Sequence, residues 1–213
     1  MPSLIGPRSR LPRYLSQLEI RAFFRAIESP RDRTLFSLIY HYGLRVAEAT
    51  LLRREDVDLE RERIVIKRLK GGAWTVQPLF SGTACLLRQH LAGCASPPES
   101  PLFQGRAGPL RKRQIQALFS RYRDQAGLDR RYTTHGLRHS IATHLLEAGV
   151  ALEFVQDHLG HQSIRTTSIY ARITDRHRLA LFRKLERSPW IVQPAMAASS
   201  PDPGETRRLE SQP

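Results

Sequence analysis

The chain has 213 residues, 40% hydrophobic and 25% charged, a composition that can bury a core and is unlike that of a disordered chain. Its 34 Lys and Arg against 20 Asp and Glu give a formal net charge of +14, the footprint of a polyanionic partner, nucleic acid first. Only two of those bases and three of the acids lie after residue 194, so the surplus belongs to the folded part. The length suits one domain with tails rather than a two-domain enzyme. No apolar run approaches the ~20 residues a membrane span needs, and the opening MPSLIGPRSRLPRY lacks the apolar stretch of a signal peptide. A cytoplasmic protein with no membrane role is expected. The two cysteines, Cys85 and Cys94, form no close-spaced ligand pattern and are read as packing residues in a reducing compartment.

Residues 1–14, rich in Pro, Arg and Ser, are expected to be a flexible lead-in, and the domain is placed at 15–192. Ser16 and Glu19 have the spacing of a capping box, with Leu15 and Ile20 placed to staple around it. Ile20, Phe23, Phe24 and Ile27 then recur on one helical face until Ser29-Pro30, the expected stop. A second helix is predicted from Asp32 to about Tyr42, with Gly43 at its C-terminal cap, and helix-forming residues resume from Arg45 to Leu52. The β-branched runs 63–67 and 74–79 predict an antiparallel hairpin with Lys70 at its turn. Further helices are predicted at 83–91, 110–126, 135–148 and 152–159, with Gly127, Gly149 and Gly160 closing the last three. A short helix holding Tyr170 and another over 175–186 follow, and 193–213 is a low-complexity tail, expected to be disordered. The sum is an α+β fold, mostly helical with one small antiparallel sheet.

Arginines at helix junctions are good material for an anion site. Arg45 follows a C-cap glycine where one helix gives way to another, and unpaired amides there add to anion affinity. Arg138 lies one helical turn after His135, so the two share a face. His161 follows Gly160 at a further junction, and Tyr170 comes nine residues later.

Four strings, GLRVAE (43–48), RLKGG (68–72), HGLRHS (135–140) and LGHQSIRTTSIY (159–170), are similar to the ordered signature of the tyrosine recombinase, or phage integrase, family. The resemblance covers roughly residues 15–190. The hairpin string and short length look most similar to the single-domain fimbrial phase-switch recombinases. Carried over residue by residue, it assigns Arg45, Lys70, His135, Arg138 and His161 to a catalytic site and Tyr170 as its nucleophile. The family's usual glycine before the lysine is Leu69 here.

The chemistry so implied suits these residue types. A phosphodiester attacked by a phenolate passes through a phosphorane whose non-bridging oxygens match forked guanidiniums, here Arg45 and Arg138. His161 can donate a further hydrogen bond, His135 can accept the tyrosine proton, and Lys70 can protonate the departing 5′-oxygen. No metal or other cofactor is required. The 3′-phosphotyrosyl linkage keeps the energy of the broken bond, so a 5′-hydroxyl of another strand can reseal DNA without ATP. His135 and His139 sit i and i+4 like a zinc pair, but the intervening Gly136, Leu137 and Arg138 lack the metalloprotease glutamate. Glu48, one turn after Arg45, can orient an arginine of the site. His139, His144 and His158 are expected to pack or hydrogen-bond.

The expected function is site-specific cleavage and rejoining of double-stranded DNA. Homo-oligomers, a tetrameric synapse, would act on paired sites. The alternatives are DNA relaxation of the type IB topoisomerase kind and a non-cutting DNA-binding accessory factor. Most family members place a helical clamp domain before the catalytic one, whereas about fifteen residues precede the first predicted helix here, so accessory DNA-bending proteins are expected partners. The apolar set in 179–192, from Leu179 to Val192, is expected to dock on a neighbouring subunit.

Overall fold

The computed structural model describes residues 13–69, 74–92, 96–105 and 107–160. Helix α1, Gln17–Arg25, starts at the predicted capping box. The Ser16 amide donates to Glu19 Oε2 at 2.8 Å, and Ser16 Oγ accepts from the Glu19 amide at 3.3 Å. Leu15 is fully buried beside it. The helix ends at Arg25, before the expected stop, because Ser29-Pro30 acts as a start. Ser29 caps α2, Pro30–His41, whose first position suits a ring that fixes φ and lacks an N–H.

Helix α2 buries Leu35, Phe36, Leu38 and Ile39 together with Asp32, Thr34 and Ser37, as a central helix must. Tyr42 caps it, and Gly43 turns the chain with φ +55° into α3, Val46–Ala49. After a 3-10 turn, Arg54–Asp56, come β1 (Val57–Asp58), β2 (Arg63–Lys67) and β3 (Trp74–Pro78), an antiparallel sheet in that order. Val65 faces Val76 and Lys67 faces Trp74 in the register of the predicted hairpin. Ile64 and Ile66 point inward and are fully buried.

Helix α4, Ser81–Leu91, packs on α2 through Thr83, Ala84 and Leu87. Cys85 falls on its other side and is exposed, which corrects its reading as a packing residue; Cys94 lies outside the described residues. A two-stranded ribbon that the sequence pattern did not mark, β4 (Gln104–Gly105) and β5 (Gly108–Pro109), leads to α5, Lys112–Gln125. Helix α6, Thr134–Glu147, is buried along most of its length, and α7, Leu152–Leu159, closes on Gly160 at φ +63°.

The main core joins α1, α2 and α5 through Phe23, Phe36 and Phe119, with ring centroids 5.0–6.2 Å apart. Each such side chain contributes about 1.5–3 kcal/mol by its burial. A smaller cluster, Ile141, Ala142, Leu146, Val155 and Leu159, binds α7 to α6. These two cores bring the end of α2, the start of α3, the end of β2, α6 and the end of α7 to one place. Among the described residues no helix is long and apolar enough to cross a membrane.

Candidate active site

Arg45 stands at the N-cap of α3, two residues past Gly43. A Cβ at Gly43 would overlap Leu159 Cδ2 and lie 3.6 Å from Arg138 Cγ, so α2, α6 and α7 approach closely at this glycine. The Arg45 amide donates to Glu48 Oε2 at 2.9 Å and its Nη1 to Glu48 Oε1 at 2.7 Å. The Arg45 side chain keeps 23% of its surface exposed while Glu48 keeps none. Sequence spacing anticipated this pair.

Glu48 is also the partner of two groups from the far end of β2. Arg68 Nη1 donates to its Oε2 and the Leu69 amide to its Oε1, both at 3.3 Å. Burial pushes the Glu48 pKa up, but hydrogen bonds from Arg45 and the charges of Arg68 and Arg45 outweigh it and hold the pKa below the ordinary carboxylate value. Glu48 is therefore an ionised carboxylate inside the fold.

Arg138 is buried on α6. Its Nη1 donates to the Gly43 carbonyl and its Nη2 to the Leu159 carbonyl at 2.8 Å. His135, one turn earlier, is exposed, and its ring meets that of His139 edge to face at 4.3 Å. Partial desolvation, then the positive charges of Arg138 and Arg45, lower the His135 pKa below 6.5. The shift favours the neutral imidazole, the form that has a ring nitrogen free to accept. Arg45, His135 and Arg138, spread over 94 positions of sequence, thus meet at one junction of helices. Lys70, His161 and Tyr170, and the segment 179–192, lie outside the described residues. Their described neighbours, Leu69 and Gly160, both border this junction.

Lys67, the other lysine of the hairpin, sits on the outer face of β2 with Nζ 5.3 Å from the centre of the Trp74 ring. Of the remaining histidines, His144 Nδ1 hydrogen-bonds the Tyr40 hydroxyl, and His158 contacts the His41 carbonyl and Gln77. They hold structure, as expected. The residue that sequence reasoning left without a role is Arg68, which is 1% exposed. A signal was present: Ile64, Ile66 and Arg68 alternate, so the period of the strand points Arg68 to the core.

The pattern of the Phage integrase family matches residues 13–177, and the chain belongs to this family. It is similar to the tyrosine recombinase XerA of Thermococcus kodakarensis, with 36% identity over 89% of this chain and 67% of the relative. It is also similar to the tyrosine recombinase XerC of Nitrobacter winogradskyi, with 40% identity over 72% of this chain and 49% of the relative. The chain thus spans about half to two thirds of the length of these relatives. A crystal structure of XerA recombinase superposes with a TM-score of 0.73 at 25% identity, over 87% of this chain and 67% of that one. The XerH site-specific recombinase bound to a palindromic difH substrate, a post-cleavage complex, superposes with a TM-score of 0.69 at 29% identity, over 85% of this chain and 56% of that one. The fold is that of a tyrosine recombinase catalytic domain.

Proposed function

We propose that the chain is a site-specific DNA recombinase that cuts and rejoins duplex DNA through a 3′-phosphotyrosine at Tyr170. The observation that carries this reading is the convergence of Arg45, His135 and Arg138, with the two arginines held by Glu48 and by backbone carbonyls before any substrate arrives. Guanidiniums fixed in advance stabilise charge that develops on a scissile phosphate without reorganising at the moment of reaction. Arg45 and Arg138 grip the non-bridging oxygens, aided by His161. Neutral His135 takes the Tyr170 proton as the phenolate oxygen bonds to phosphorus, and Lys70 protonates the 5′-oxygen as it leaves. Resealing runs the same steps backwards, with no metal or ATP.

The net charge of +14 supports duplex DNA as partner. Paired sites are brought together by a homo-oligomer, a tetrameric synapse in which residues 179–192 dock between subunits, and accessory DNA-bending proteins supply grip. The reaction takes place in the cytoplasm. The name recombinase borne by the similar proteins, with the integrase family to which the chain belongs, favours strand exchange over DNA relaxation or a non-cutting role.

The test is a nicked substrate that traps the covalent adduct. The wild-type protein should form it, and Tyr170→Phe should bind the same DNA with similar affinity and form none. An adduct on the Phe variant, or none on the wild type, would overturn the assignment.

A further inference from the structure

We infer that Arg68 is a positioning residue for the hairpin lysine, which it sets relative to the arginine clamp by way of Glu48; this rests on the function proposed above. The chain passes from β2 through Arg68 and Leu69 into Lys70. Both residues at that exit are tied to one carboxylate, Arg68 by Nη1 to Glu48 Oε2 and Leu69 by its amide to Glu48 Oε1. The same carboxylate holds Nη1 and the amide of Arg45. One buried anion therefore fixes the root of the hairpin and the clamp arginine together.

Arg68 adds two further ties. Its Nη2 donates to the Tyr42 carbonyl at 3.2 Å and to the His158 carbonyl at 2.5 Å, at the C-terminal ends of α2 and α7. Gly160 leaves just enough room: a Cβ there would lie 2.8 Å from Cγ, Cδ and Nε of Arg68. The hairpin exit is thus locked to the helix end that leads into Arg45 and to the one that leads into His161.

Stability alone does not explain an arginine at this position. Ile64 and Ile66 precede it on the same inward face, and an apolar residue would continue that pattern without burying a charge. A buried ion pair is commonly no more stabilising than apolar residues of similar volume. Arg68 Nε is moreover buried with no hydrogen-bond partner among the described residues, a cost an aliphatic side chain would avoid. What the guanidinium offers and an aliphatic chain lacks is a set of directional bonds to three separate segments.

The experiment compares Arg68→Met and Arg68→Lys with the wild type in thermal unfolding, DNA affinity and single-turnover cleavage. Cleavage is measured on an ordinary phosphodiester and on a 5′-bridging phosphorothiolate, whose sulfur leaves without a proton. Both variants should fold, with lower stability where the Tyr42 and His158 carbonyls lose a donor, and bind DNA as the wild type does, yet the folded protein should cleave the ordinary substrate about 10²-fold more slowly, the loss expected when a reacting group is misplaced by about 1 Å. The phosphorothiolate should recover most of that loss in both variants, and none of the loss in Arg45→Ala. Unchanged cleavage, equal loss on both substrates, or a loss that only follows the fraction of unfolded protein in both variants would overturn the inference. A wild-type protein that forms no Tyr170 adduct would instead sink the recombinase reading on which it rests.

Discussion

Arg68 and Arg138 bridge the same two helix ends, one residue out of step with each other. Arg68 joins the carbonyls of Tyr42 and His158, and Arg138 joins those of the next residues, Gly43 and Leu159. The last carbonyls of a helix have no partner within it, and they carry the negative end of its dipole, so a guanidinium fork is well matched to two such ends at once. One arginine comes from the strand that leads to the hairpin lysine, the other from the helix that carries His135. Helix ends α2 and α7 are therefore fixed from both sides, and the segments that leave them carry Arg45 and His161.

Arg138→Ala should lower cleavage by about 10²–10³-fold, the loss typical of one preorganised transition-state donor. It should also destabilise the fold, because the Gly43 and Leu159 carbonyls lose a buried donor, at about 1–3 kcal/mol for each group left unsatisfied. Cleavage rate and urea midpoint measured on one preparation separate the two effects. A variant that cleaves normally would place the scissile phosphate elsewhere.

Gly43→Ala tests the junction without replacing a charged residue. The φ of +55° costs an L side chain about 1–2 kcal/mol, and the added methyl would overlap the Leu159 side chain. The unfolding temperature should fall and cleavage with it, as α7 is pushed away from Arg138. Gly127→Ala is the control: it also has positive φ, +66°, but a Cβ there meets nothing within 4 Å. It should lose stability only, with cleavage by the folded protein intact.

Much of this was legible because the signals were local. The capping box at Ser16 and Glu19, the hairpin register and the span of α7 up to Gly160 each depend on residues a few positions apart. Ser29-Pro30 misled because serine followed by proline both ends one helix and begins another, and spacing alone does not say which. The two-residue strands are too short to show a period. Arg68 escaped for a different reason: a charged residue on an inward face reads as solvent-facing unless its counter-ion is known, and Glu48 lies twenty residues away in sequence. Glu48 itself was legible, but only its pairing with Arg45, which is local.

Acid should destabilise the protein before its carboxylates titrate. Burial, with the neighbouring charge of His158, lowers the His41 pKa from 6.5 to about 4, and burial with His135 and Arg138 does the same to His139. His135, His144 and His158 shift in the same direction. A histidine whose pKa is lower folded than unfolded binds more protons when unfolded, so stability is complete above the unfolded value of 6.5 and is lost as pH falls from there towards 4. The unfolding temperature should be level from pH 8 to 7 and decline through that window. His41→Gln should reduce the slope if it folds, and a flat profile down to pH 5 would contradict the burial of these rings.

The two ends of the Glu48–Arg68 pair should respond very differently to removal. Without Arg68, Glu48 still has Arg45, so Arg68→Met leaves no buried charge unpaired, and its cost is the donor lost by the Tyr42 and His158 carbonyls. Without the carboxylate, Arg68 and Arg45 face each other with no anion between them, and the two amides at Arg45 and Leu69 lose their acceptor. Breaking a buried pair by removing the partner that compensates it costs about 3–5 kcal/mol, and Glu48→Leu strands two backbone amides as well, so it should lose more stability than Arg68→Met. Glu48→Gln keeps one oxygen acceptor and should fall between them. In the double variant Glu48→Leu with Arg68→Met, the stranded Arg68 charge is gone, and the loss should be smaller than the sum of the two single losses, the non-additivity expected of residues in contact. Urea unfolding of the four proteins gives the coupling directly. Additive losses, or a loss for Arg68→Met as large as for Glu48→Leu, would mean that Arg68 is held by its carbonyl contacts rather than by Glu48, and the link between hairpin and clamp would have to run through the Leu69 amide alone.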